Sequence, residues 1–197
     1  MAHRICPWWL GYALINPLRR WREDPVALLG PHVREGMVVL EPGCGMGYFT
    51  VPLARMVGPG GRVIAVDLQE RMLAGLMRRA RKAGVSARVE PRRAAADRLG
   101  IDDLADKVDL ALALHMVHEV PDRRAFFAEV ARALRPGGTM LVIEPKGHVT
   151  TDEFETTLAA AAQASLAPVE RPASRTGRAA LLRRPEGPGG GDRLSAR

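Results

Sequence analysis

Short apolar runs alternate with longer amphipathic stretches along most of this chain. "MVVLE" (37–41), "RVIAVDL" (62–68), "ARVEPRRA" (87–94), "VDLALAL" (108–114) and "TMLVIEP" (139–145) have the length and β-branched content of buried strands. Between them lie helical patterns. "YFTVPLARMVG" is one, and "QERMLAGLMRRARKAG" is another, with Met72, Leu73, Leu76, Met77 and Ala80 on a single face. "RAFFAEVARALRPGG" predicts a helix stopped by Pro-Gly-Gly. Ahead of the first strand, "DPVALLGPHVREG" predicts a short helix with Asp24 as N-cap and Pro25 at its first position, ending near Gly36. After the last, "TDEFETTLAAAAQASL" predicts a helix capped near Thr151 or Asp152, and "APVERP" with "RAALLRR" predicts a terminal hairpin.

Strict alternation of strand and helix implies right-handed crossovers and a parallel sheet covered on both faces. The expected fold is therefore α/β: a doubly wound, Rossmann-like, seven-stranded and mostly parallel sheet with a C-terminal antiparallel hairpin. With 197 residues, 47% of them hydrophobic, one domain with a substantial core is expected. Its bounds are read as 25–184, after an N-terminal arm (1–24) and before a Pro/Gly-rich tail, "PEGPGGGDRLSAR" (185–197), expected to be disordered.

In such a sheet ligands bind beyond the carboxyl ends of the strands, where the first strand gives way to its helix. There "VVLEPGCGMGYFTVPLA" places Gly43, Gly45 and Gly47, which permit tight turning and close approach of a ligand to the backbone. A dinucleotide fingerprint would need G-x-G-x-x-G or A, and the last position is Tyr48. A nicotinamide or flavin site fits poorly, which speaks against a small dehydrogenase. Glu41 stands at the entrance of the loop. A carboxylate there repels a pyrophosphate and suits a cation. Asp67 closes the second strand, 24 residues after Gly43, in position to accept hydrogen bonds from ribose hydroxyls.

These residues resemble the first motifs of the class I S-adenosylmethionine-dependent methyltransferases of the small-molecule type, over a span from about Val26 to Leu182. The resemblance implies S-adenosyl-L-methionine as cofactor. It implies that Glu41, Gly43, Gly45 and Gly47 hold its cationic methionine end, Asp67 its ribose, and Leu68 one face of its adenine, with Leu114 at the end of the fourth strand also on the cofactor side. The family places an acid after the third strand, near the adenine amino group. Here "RRAAADRLG" offers Asp97, while a shift of two residues puts Ala95 there instead.

"VDLALALHMVHEVPD" is similar to the family's fourth strand and following loop, with Asp109 at the start, His118 at the familiar histidine position and His115 where an apolar residue is usual. The resemblance implies that the methyl group is presented at the carboxyl ends of strands four and five. His118, His115 and Glu144 are accordingly the candidate catalytic residues, with Glu119 and His148 close by; imidazole titrates near neutral pH and can take a proton from a nucleophile. The implied activity is methyl transfer to a small-molecule nucleophile by in-line displacement. A non-catalytic S-adenosylmethionine-binding protein that recognises a partner through its arm is the alternative. The "HMVHEVPD" region resembles methyltransferases of quinone and small-metabolite pathways and of arsenite; two cysteines, one of them Cys44 in the glycine loop, argue against arsenite, while a thiol or metalloid acceptor near Cys6 stays open.

Net charge of +7 and a pI near 10.4 would invite a nucleic-acid partner. Only three of the 29 basic residues are lysine (Lys82, Lys107, Lys146), which reads as compositional bias rather than a phosphate-tracking surface. Cys6 and Cys44 form no C-x-x-C pair, as expected of a cytoplasmic protein. No metal is assigned, although His3, Cys6, His115, His118, Glu144 and His148 could include ligands for one if His115-x-x-His118 were helical. The arm, "HRICPWWLGYALINPLRRW", carries all three tryptophans. It interrupts its apolar run with Pro7 and lacks a small-residue cleavage site. It reads as a lid over cofactor and acceptor, a packing strap, or a membrane-surface patch around Trp8 and Trp9.

Overall fold

The computed structural model describes residues 23–175 and 177–187. The lid, strap and membrane readings of the arm, together with His3 and Cys6, and all but the first three residues of the tail lie outside the described residues. A seven-stranded sheet runs in the order β3-β2-β1-β4-β5-β7-β6. Its strands are β1 (Val38–Pro42), β2 (Arg62–Asp67), β3 (Val89–Arg93), β4 (Val108–Leu114), β5 (Leu134–Pro145), β6 (Ala167–Glu170) and β7 (Gly177–Arg183). β1 to β5 pair in parallel; β7 is antiparallel to both β5 and β6. This is the mostly parallel sheet with an antiparallel C-terminal hairpin that the alternation predicts.

Among the described residues, five helices cover the sheet: α1 (Pro25–Leu29), α2 (Thr50–Met56), α3 (Glu70–Lys82), α4 (Arg123–Ala133) and α5 (Thr151–Gln163). Successive strand residues enter opposite cores. Val39, Val63, Ala65, Leu110 and Leu112 pack with Leu53, Leu73 and Leu76 of α2 and α3. Leu40, Ile64, Val66, Ala111 and Ala113 pack with Phe127 and Phe154 of α4 and α5. Both faces are buried, so the strands read as apolar runs rather than as alternation.

The boundaries depart from expectation where local chemistry decides them. α1 stops at Leu29 rather than near Gly36, since Pro31 has no N–H to continue the helical ladder. Its start is as expected: Asp24 caps it, accepting from Val26 N at 3.1 Å. α2 tolerates Pro52 because that residue sits in the first turn, where N–H groups have no intrahelical acceptor. α4 ends at Ala133, and "LRPGG" opens β5 instead of closing the helix. Leu134 pairs with Val108, and a register shift follows before Leu110 meets Thr139; Gly137 at φ +73° takes up the irregularity. The cap of α5 is Thr150, one residue earlier than expected, in a reciprocal capping box with Glu153.

β1 lies between β2 and β4, so chains leave its two neighbours on opposite sides. The crevice this opens at the carboxyl ends is where a doubly wound sheet receives its ligand.

Candidate cofactor and active site

Gly43, Gly45 and Gly47 all have positive φ, at +69°, +52° and +77°, a backbone that only glycine adopts without strain. Each does so for its own reason. A Cβ on Gly43 would stand 3.0 Å from Met116 Cβ, and one on Gly47 would stand 2.3 Å from Leu76 Cδ1, whereas a Cβ on Gly45 would meet nothing within 4 Å. Gly47 thus seats the loop on α3, Gly43 admits the chain after β4, and Gly45 borders open space.

Asp67 ties this loop to the end of β2. Its Oδ2 accepts from Gly45 N at 2.9 Å and its Oδ1 from Gln69 N at 2.8 Å. Each oxygen keeps further acceptor capacity. Burial pushes the carboxyl above its usual range, against the pull of those two backbone donors.

Glu41, at the end of β1, is 3% exposed, and its Oε2 is buried without a hydrogen-bond partner. Burial pushes its carboxyl up to about 8; the Thr50 hydroxyl, near enough to favour the ionised form yet outside hydrogen-bonding geometry, works against this, and the charge of Asp67 adds to it. Cys44, also buried, has its thiol pushed up by burial and by Glu41 and Asp67, which leaves it without nucleophilic character at neutral pH.

A cavity of about 350 Å³ opens beside the loop, lined by Gly43, Asp67, Leu68, Asp97 and Met116 among others. Asp97 and Ala95 both line it, so both registers of the third-strand motif reach the same wall. Farther in, Glu119, Phe126 and Glu129 complete it; no sequence signal singled out Phe126 or Glu129. Leu114 is 8% exposed and packs in the core on the α2–α3 side, and it is not part of the cavity lining.

The candidate catalytic residues separate. Glu144, on β5, is 1% exposed. It accepts from three consecutive backbone groups, Met116 N (3.1 Å), Val117 N (2.9 Å) and His118 N (3.3 Å), and its Oε2 lies 2.5 Å from His118 Nδ1. Both oxygens of this carboxylate are thus engaged by His118 and the loop after β4. His118 is a quarter exposed; its pKa is raised, chiefly by the hydrogen bond to Glu144 and in opposition to burial. His148 stands near it, with ring centroids 6.2 Å apart.

His115 turns elsewhere: its Nε2 lies 2.6 Å from Glu23 Oε1, and its Nδ1 is buried without a partner. The stretch from His115 to His118 is not one helical face. His115 has φ +60°, and only Val117–Glu119 form a 3-10 turn. Among the described residues no three His, Cys, Asp or Glu side chains are grouped to hold a metal ion. Asp109 has a structural place, accepting from Val38 N and Arg135 Nε at the far end of the sheet.

A family profile described as a methyltransferase domain matches residues 39–138. This chain belongs to that family, the class I S-adenosylmethionine-dependent methyltransferases. It is 32% identical over 139 residues to a ubiquinone/menaquinone biosynthesis C-methyltransferase of Pasteurella multocida (strain Pm70), covering 68% of this chain and 50% of that protein. It is 31% identical over 140 residues to a ubiquinone biosynthesis O-methyltransferase of Rhizobium etli, covering 71% and 52%. The chain spans about half the length of these curated relatives. Its fold matches the crystal structure of a SAM-dependent methyltransferase from Aquifex aeolicus with a TM-score of 0.81 at 22% identity, over 91% of this chain and all of that one.

The site fits the methyltransferase cofactor. An unpartnered carboxyl oxygen under the glycine loop complements a cationic amino acid portion. Gly45 leaves room above the loop, and Asp67 offers acceptors at the cavity wall. Among the described residues no helix is long and apolar enough to cross a membrane.

Proposed function

We propose that this methyltransferase passes the sulfonium methyl of S-adenosylmethionine to a small-molecule nucleophile by in-line displacement. The bound cofactor supplies an electrophilic methyl group; the chain supplies position and a proton acceptor. Glu41 and the glycine loop hold the cationic end, Asp67 the ribose, Leu68 and Asp97 the adenine. His118 takes the proton of the acceptor. With its Nδ1 directed at Glu144, Nε2 is the nitrogen left for this role. Glu144 serves as a positioning residue, in place of the direct role expected of it. Alignment of donor and acceptor carries most of the acceleration, by analogy with effective molarities of about 10⁵ M or more.

The observation that carries this reading is the 2.9 Å bond from Gly45 N to Asp67 Oδ2, which joins the glycine loop and the acid of β2 into a single cradle. The relatives are named as C- and O-methyltransferases of quinone biosynthesis, which supports a hydroxylated ring as the first acceptor class to try.

Calorimetry with S-adenosylhomocysteine, S-adenosylmethionine and NAD tests the cradle, and a panel of catechols and hydroquinones with methyl-labelled cofactor tests turnover. Heat with the first two ligands alone, and label transferred to a ring oxygen or carbon, is the expected result. Binding without transfer to any acceptor favours the non-catalytic alternative, and no heat with either sulfur ligand overturns both.

A further inference from the structure

Glu23 was not among the candidate residues, yet it is 8% exposed and reaches both the glycine loop and the segment after β4. It has two anchors there. Its backbone oxygen accepts from Tyr48 Oη at 2.7 Å, and its Oε1 lies 2.6 Å from His115 Nε2. Tyr48 follows the last loop glycine and His115 follows β4, so Glu23 bridges the glycine loop and the segment after β4.

His115 has φ +60°. Histidine tolerates this left-handed region better than most residues but does not prefer it, so something must hold it. Two contacts do: the N–H of His115 donates to Ile143 O at 2.7 Å, and the ring meets Glu23. The consequence appears in the next three residues. After the left-handed turn, the N–H groups of Met116, Val117 and His118 all point at Glu144, and Met116 comes against Gly43. A relaxed backbone at position 115 would redirect all three donors together.

We propose that Glu23 is a positioning residue: through His115 it holds the turn that delivers Met116, Val117 and His118 to Glu144, and so aims the His118 ring. This rests on the reading of His118 as the proton acceptor. It gives His115 a conformational role rather than a chemical one, which accords with a ring whose Nε2 meets Glu23 and whose Nδ1 is buried.

The experiment is a proton NMR titration of the histidine ring signals, with His118 assigned through His118→Gln. In the unaltered protein His118 titrates above an ordinary histidine. Glu23→Ala should move its midpoint down toward the ordinary value, resolved by comparing the two titrations. Adding His115→Gly should restore it, because glycine takes φ +60° unaided and no buried imidazole is left unpaired. A purely structural Glu23 would lower the melting temperature without moving His118, and His115→Gly would rescue nothing; that outcome overturns the proposal. Should Glu23→Ala fold too poorly to titrate, the double variant decides: recovery of the fold with a raised His118 midpoint supports the proposal, and failure to recover overturns it. Binding of S-adenosylhomocysteine to the unaltered protein is measured in parallel. Its failure would sink the methyltransferase reading while leaving the His118 result standing.

Discussion

Oε2 of Glu144 and Nδ1 of His118 meet at 2.5 Å, with the carboxylate 1% and the imidazole 26% exposed. The pair is asymmetric: one partner is buried and held by three backbone donors, while the other is a quarter exposed. A buried carboxylate thereby fixes the ring and favours its protonated form.

The folded protein raises the His118 pKa. The pair therefore adds stability fully at pH below the ordinary histidine value of 6.5 and loses it as pH climbs through the raised value. Only the neutral ring can accept a proton, so kcat should rise with pH along a limb lying above 6.5, and Glu144→Gln should move that limb down. His118→Ala should lower kcat by about 10²-fold or more while leaving S-adenosylhomocysteine affinity within about twofold. A pH–rate profile and calorimetry check both.

Glu41 should make ligand binding release a proton. With its carboxyl near 8 in the empty site, it is mostly neutral at pH 7, and a cation set on the loop favours ionisation. Calorimetry in buffers of different ionisation enthalpy should give up to about one proton released per S-adenosylhomocysteine at pH 7, and none for Glu41→Gln. The sign for stability is separate. An acid whose folded pKa is raised destabilises the fold as pH rises from 4.5 toward 8. Glu41→Gln should thus melt higher than the unaltered empty protein at pH 8, while binding ligand more weakly.

Two glycines should fail differently. At Gly47 a methyl would meet Leu76 at 2.3 Å, so Gly47→Ala should cost about 2–4 kcal/mol, from overpacking and the left-handed backbone together. At Gly45 the space is open. Gly45→Ala should cost only the backbone strain of about 1–2 kcal/mol, yet lose ligand affinity at least tenfold, because the added methyl takes ligand space. Denaturant melts beside calorimetry distinguish the two.

Asp67→Ala should weaken S-adenosylhomocysteine binding by about 2–4 kcal/mol, through lost ribose acceptors and through two backbone donors, Gly45 N and Gln69 N, left without their carboxylate. Asp97→Ala should cost about 1 kcal/mol, the worth of one hydrogen bond to the adenine amino group. An unchanged dissociation constant for Asp67→Ala counts against the cradle. For Asp97→Ala it assigns the adenine wall to the Ala95 register.

Much of this molecule was legible in its residues alone. Apolar runs of strand length, separated by amphipathic segments, admit few architectures once both sheet faces must be covered, and Gly43, Gly45, Gly47, Asp67 and Glu41 declare themselves by chemistry that few other positions require. Local competition was not legible in that way. Whether "LRPGG" ends a helix or begins a strand depends on Leu134 finding Val108 across the sheet, a partner 26 residues away in sequence.

The site divides along the same line. The proposed cofactor residues lie within short motifs, where spacing along the chain is spacing in space, and the sequence by itself was enough to name them. His118 led at that level by its place in the motif, with His115 and Glu144 as deputies, since all three sit at the carboxyl ends of neighbouring strands. Only the tertiary structure gave the three different surroundings. It buried Glu144 under three backbone donors, left His118 facing outward, and turned His115 to Glu23, 92 residues away. Which way a side chain faces, and what it finds there, is set by contacts between segments remote in sequence, and those exist only once the chain is folded.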